Sequence, residues 1–168
     1  MEGPLPAPRL DPDSFWPVGL PTQADTAAVD DSGRLRLPKE FLAAFRALPD
    51  ARLVVNSLNL KTAQVYPWAL WRENLKLLAQ YRDDPQRARR VAILASEYGG
   101  DVQIDRAGRI QLPQALRELL GLKSTSVRIF GFKGRLEIVP EKQWLLDVEE
   151  AKKSGADDVN ALEVAGLY

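Results

Sequence analysis

Apolar and polar residues alternate along Arg34-Leu35-Arg36-Leu37, and alternate again along Arg109-Ile110-Gln111-Leu112. Period two is the mark of a half-buried strand: Leu35 and Leu37 face one way, Arg34 and Arg36 the other. Ala27 and Val29 continue the apolar face upstream. The pattern predicts a hairpin of residues 27–30 and 34–37. Helical spacing takes over afterwards, with Phe41, Leu42 and Phe45 on one stripe of a helix over 38–48. A second hairpin follows at 52–57 and 63–66, then a helix from Pro67 whose Trp71, Leu75 and Leu78 form a core stripe. Asp83-Asp84-Pro85 is an acidic cap followed by proline, the start of another helix. That helix has Ala88, Val91, Ala92 and Ala95 on its buried side, with Arg87, Arg89 and Arg90 near its start, and it ends at Tyr98-Gly99-Gly100.

The first pattern then returns. Val102–Ile104 and Arg109–Leu112 predict a hairpin, Pro113–Leu120 a helix stopped by Gly121, and 126–132 with 135–139 a hairpin turning at Lys133-Gly134. Pro140, Trp144 and Leu145 open a last helix that is expected to fade at Lys152–Gly155 into a loose tail. Val29–Pro38 and Ile104–Pro113 match at Asp, Gly, Arg, Leu and Pro, and Tyr66-Pro67 with Trp71 is echoed by Val139-Pro140 with Trp144. Asp30 and Asp105 suit the first position of a turn, where a carboxylate accepts from turn amides, and Gly33 and Gly108 suit a position of positive φ. Pro38 and Pro113 suit the first helical position, where no amide donor is needed.

This doubled decamer resembles the MraZ family of bacterial transcription regulators, within the AbrB-like swapped-hairpin superfamily. The family's Asp-x-x-x-Arg mark falls on Asp30/Arg34 and on Asp105/Arg109, and the likeness covers about residues 26–145. Neither hairpin pair can bury its apolar face alone. The expected fold is therefore α+β: two tandem AbrB-like β-hairpin/helix units interleaved into one pseudo-twofold double-split β-barrel with peripheral helices. Its parts are an extended proline-rich arm (1–25), a first unit with its trailing helix (26–81), a connecting helix (82–100), a second unit with its helix (101–153) and an acidic tail (154–168). The arm holds six of the twelve prolines. Its Phe15 and Trp16 anchor it either on its own domain or on a neighbouring subunit.

Charge sharpens this picture. The chain of 168 residues is neutral overall, but residues 1–31 carry −5, residues 32–140 carry +9 and residues 141–168 carry −4. Local charge governs attraction to a polyanion. There is neither cysteine nor histidine. Disulfides, thiolate sites and the commonest general base are excluded, and no Walker-type loop or nucleophile–base pair stands out. No enzyme, no cofactor, no metal and no small-molecule substrate is expected. No apolar run reaches the roughly 20 residues of a membrane helix, and the start lacks a signal-peptide pattern, so a cytoplasmic, nucleoid-associated protein is expected.

The expected partner is double-stranded DNA. Arg34 and Arg109 are candidate readers, since arginine binds phosphate bidentately and reads guanine edges. Asp30 and Asp105, with Gly33 and Gly108, would orient them, and Arg36, Lys39 and Arg106 would hold phosphates. The structural alternative is that each Arg merely stiffens its own turn. The resemblance further implies a ring of several subunits on promoter repeats of a cell-division and cell-wall gene cluster. A rival reading is an antitoxin-like or other protein-binding swapped-hairpin module without its own DNA site, whose acidic tail wraps a partner.

Overall fold

Strands β1 (Asp25–Val29) and β2 (Arg34–Arg36) form the first hairpin, with Val29 opposite Leu35. The computed structural model describes residues 10–168. Helix α1 (Lys39–Arg46) follows, then β3 (Leu53–Asn56), β4 (Ala63–Pro67), α2 (Trp68–Gln80) and α3 (Pro85–Glu97). The second copy supplies β5 (Gly100–Val102), β6 (Arg109–Gln111), α4 (Gln114–Leu120), β7 (Thr125–Phe132), β8 (Arg135–Pro140) and α5 (Glu141–Val164).

All eight strands form one antiparallel sheet in the order β5-β3-β4-β8-β7-β1-β2-β6. A bridge from Ile104, just after β5, to Ile110 in β6 brings the two ends together, so the sheet is a nearly closed barrel. The ladders cross between copies: β1 pairs with β7, β3 with β5, β4 with β8 and β2 with β6. This is the α+β double-split barrel that the tandem units require.

The physical reason lies in the inward faces. Leu35, Val55, Val65, Ile110, Ile129, Leu136 and Ile138 are completely buried in one core drawn from both copies, and Phe41 and Leu116 plug it from equivalent positions on α1 and α4. Burying a Leu or Ile side chain contributes about 1.5–3 kcal/mol, and only the interleaved arrangement covers both copies' apolar faces. A second, smaller cluster of Val54, Tyr66, Leu70 and Trp71 lies on the outer side of β3 and β4, under α2 and α3. Trp71 is buried as expected, but Leu75 is exposed and Leu78 only half-buried, both lining an open groove between α2 and α3.

Three expectations need correction. Pro38 and Pro113 are helix N-caps, not first helical residues: their ψ of 152° and 144° is extended, and their carbonyls accept the first helical bonds from Leu42 and Arg117. Pro67 and Pro140 cap α2 and α5 in the same way. Second, the tail expected at 154–168 continues α5 as far as Val164. A lone Gly155 costs about 1 kcal/mol in a helix, too little to stop one that meets no proline. Third, the arm expected to be extended over 1–25 contains a compact turn and is anchored at Trp16; residues 1–9 lie outside the described residues. A 3-10 turn, Pro12–Phe15, capped by the Asp11 carboxylate, leads into Trp16. Of the two anchors considered, the chain's own domain holds it. Trp16 is 5% exposed, stands edge-on to Phe45 at 5.0 Å, and its Nε1 donates to the Gly134 carbonyl at 2.8 Å.

Candidate nucleic-acid interface

The two repeated turns have the same bonding in detail. In the first, Asp30 Oδ1 accepts from the backbone N–H of Ser32 and of Arg34, each at 2.9 Å, while Asp30 Oδ2 accepts from Arg34 Nε at 2.9 Å. In the second, Asp105 Oδ1 accepts from Ala107 and Arg109 N–H, each at 2.9 Å, and Oδ2 accepts from Arg109 Nε at 3.0 Å. The Gly33 and Gly108 amides close the turns onto the Asp30 and Asp105 carbonyls. Their φ values of 79° and 75° are left-handed, as the turn geometry demands of glycine.

Each carboxylate sits below the ordinary aspartate range. The backbone N–H of the arginine is the main cause; burial opposes it, and the arginine side chain adds to it. A folded-state pKa that is lowered contributes stability above the unfolded value, and that contribution is lost as pH falls through the lowered one. Carboxyl carbon NMR titration should therefore show both aspartates titrating below the ordinary range. The variant with Asp30→Asn and Asp105→Asn should lose part of the acid-limb dependence of stability.

Register places the arginines. In the β2–β6 ladder Arg34 stands opposite Gln111, Leu35 opposite Ile110 and Arg36 opposite Arg109. Leu35 and Ile110 point into the core, so Arg34, Arg36, Arg109 and Gln111 share the opposite, outward face. Arg34 and Arg109 thus lie on one surface, diagonally across the ladder, with side chains 38% and 27% exposed. Asp–Nε bonding leaves the outer edge of each guanidinium available for a second acceptor. The stiffened turn and the presented cation coexist in one geometry.

Arg36 and Arg109 are like charges directly opposed across a ladder, which is unfavourable. Arg36→Gln should consequently raise the stability of the free protein by about 0.5 kcal/mol, measured by urea unfolding. Lys39 is exposed at the start of α1, and Arg106 is exposed in the second turn. Among the described residues, Arg36, Lys39 and Arg106 enter no ion pair. Arg87 and Arg90 differ: both approach Asp84 at the start of α3, at 3.6 and 3.7 Å.

Two participants were not singled out from sequence. Gln111 Nε2 donates to the Ser32 carbonyl at 2.9 Å, tying the second copy to the first turn. Arg117 covers Gly33 and Leu42 covers Gly108, each so closely that a Cβ added to the glycine would run into the covering side chain. Leu42 and Arg117 are equivalent, each four residues after its proline. A charged residue at a position that is apolar in the sister copy was the available signal. No cluster of three or more potential metal ligands is present among the described residues, and none of their helices is long and apolar enough to cross a membrane.

Two interleaved hairpin–helix copies presenting twin turn-borne arginines define the swapped-hairpin barrel class. Residues 99–162 match the family model for the MraZ protein, described as antitoxin-like. The Transcriptional regulator MraZ of Acidobacterium capsulatum is 30% identical over 139 residues, covering 83% of this chain and 94% of that protein. The protein of that name from Koribacter versatilis is 30% identical over 141 residues, with the same coverage. That of Thiobacillus denitrificans is 29% identical over 126 residues, 75% of this chain and 84% of that protein. The chain belongs to the MraZ family.

Proposed function

We propose that the protein is a transcriptional regulator that binds double-stranded DNA through the outward face of the β2–β6 ladder. Arg34 and Arg109 read base edges, Asp30 and Asp105 orient them with the help of the Gly33 and Gly108 turns, and Arg36, Lys39 and Arg106 hold phosphates. The carrying observation is the shared face: register sets both turn arginines on one side of the β2–β6 ladder. The names of the relatives support regulation, and the family resemblance supports promoter repeats of the cell-division and cell-wall gene cluster as the target, in the cytoplasm and on the nucleoid. The test is fluorescence anisotropy on duplex DNA from directly upstream of this protein's own gene. Binding should be tighter than to a mixed-sequence duplex and should weaken with salt in proportion to the phosphates contacted.

A single barrel offers few contacts, so assembly of several copies is part of the proposal; a ring repeats the basic face and turns weak contacts into avidity. Helix α5 supports it. Its start rests on the barrel through Trp144, 5.4 Å from Phe130, but residues 156–168 are all exposed. Leu145, Val148, Ala151, Gly155, Val159 and Leu162 run at helical spacing along one side, an apolar stripe suited to a second copy. Light scattering before and after removal of residues 155–168 measures this: the assembly should shrink while monomeric DNA contacts persist. The rival reading takes the same stripe, and the antitoxin-like description of the family model, as the seat of a foreign protein. It predicts that the truncated chain keeps its size and loses a partner protein, and that the intact chain has no DNA site of its own.

A further inference from the structure

We infer that interleaving makes the two halves unequal toward a polyanion: one composite cleft seats the phosphodiester backbone, and its pseudo-twofold counterpart does not. This rests on the DNA-binding reading above and deepens it by naming where the backbone lies.

The hairpin exchange decides which residues meet. Because the second turn leans on α1 through Leu42, and the first turn leans on α4 through Arg117, each cleft between turn and helix draws on both copies. The first cleft, an open space of 570 Å³, is bounded by Thr26 and Ala28 of β1, Arg36, Lys39, Ala107 and Ser126. Two cations and two hydroxyls face it, and no acid lines it. Arg106 adjoins Ala107 in the same turn, and Arg109 stands opposite Arg36 across the ladder. Asp25 and Glu40 line a neighbouring cleft that shares Lys39, and Asp105 in the second turn is engaged by Arg109.

The counterpart cleft, of 500 Å³, is lined by Asp31, Gln114, Arg117, Glu118, Gly121 and Lys123. Its two cations are matched by two acids. Arg117 Nε is already spent on the Leu112 carbonyl at 3.0 Å, and Gln114 donates to Glu118 at 2.9 Å. At equivalent positions the copies hold Arg36 against Gln111 and Lys39 against Gln114. Arg36 and Lys39 share their cleft with Ala107 of the second turn, next in sequence to Arg106, while their own turn's Asp31 lines the other cleft. A pocket lined by one sign of charge focuses the field, and an anion between Arg36 and Arg109 relieves their mutual repulsion.

The test measures anisotropy of a labelled mixed-sequence duplex against salt, with light scattering and circular dichroism confirming size and fold. The variant with Arg36→Gln and Lys39→Gln carries at both positions the residues that the sister copy already tolerates. Its log–log salt slope should flatten by about 1.8, two phosphate contacts at roughly 0.9 each, and Lys39→Gln alone by about 0.9. The variant Lys123→Gln, in the counterpart cleft, should keep the wild-type slope. Equal flattening in Lys39→Gln and Lys123→Gln overturns the inequality. A wild-type slope in the variant with Arg36→Gln and Lys39→Gln, alongside lost binding on replacing Arg34 and Arg109, overturns the cleft and leaves the DNA reading standing. Failure of the unaltered protein to bind any duplex at low salt overturns both.

Discussion

Replacing Arg34 and Arg109 together by alanine is expected to abolish preferential binding to the upstream DNA while leaving the barrel folded. The two guanidiniums share one surface, opposite the side that holds Leu35 and Ile110 in the core. A good bidentate base contact discriminates by about 1–3 kcal/mol, so each arginine lost should reduce preference for the cognate duplex about tenfold or more. Stability should barely change, because each arginine pairs with its aspartate in solvent. The turn itself survives: the Ser32, Arg34, Ala107 and Arg109 backbone N–H bonds to Asp30 and Asp105 do not need the guanidinium. Competition anisotropy of cognate against mixed duplex reads the effect. Unchanged preference in a double variant of native fold and size would mean the arginines only stiffen their turns, and the reading surface would have to be sought elsewhere.

Trp16→Ala is expected to be strongly destabilising although the residue lies outside the barrel strands. The indole is 5% exposed, lies against Phe45, and satisfies the Gly134 carbonyl. Truncating a buried tryptophan costs about 3–5 kcal/mol, since the lost transfer energy is joined by a cavity. Loss of the Nε1 donor adds a carbonyl without its partner. For a chain of this size the midpoint of thermal unfolding should fall by on the order of 10 °C. Trp16→Phe separates the parts: it keeps most of the packing, loses only the donor and should recover more than half of the loss. A change within about 0.5 kcal/mol for Trp16→Ala would show that the arm detaches in solution and contributes no core.

How far each feature could be read in advance follows from the range of the interaction that sets it. The turns were legible because Asp, Gly and Arg act within five residues of one another: the carboxylate caps amides two and four positions on, and the glycine supplies its own φ. The helix starts were legible from proline, with the error of a single residue, because proline restricts φ and leaves ψ to its neighbours. The end of α5 was not legible, since Lys152-Lys153-Ser154-Gly155 reads as a fading helix in composition yet contains nothing strong enough to end one.

By itself, then, the order of residues determined that there are two hairpin–helix copies, that each presents an arginine held by its own aspartate, and that neither can fold alone with its apolar face covered. Only the tertiary structure decided which copy leans on which. Long-range pairing of β1 with β7 and of β3 with β5 brings the second turn to α1 and the first turn to α4, and it seats Trp16 against the turn at Gly134. Those contacts join residues far apart in the chain, where burial of a common core outweighs local preference, and no pattern within either copy encodes them.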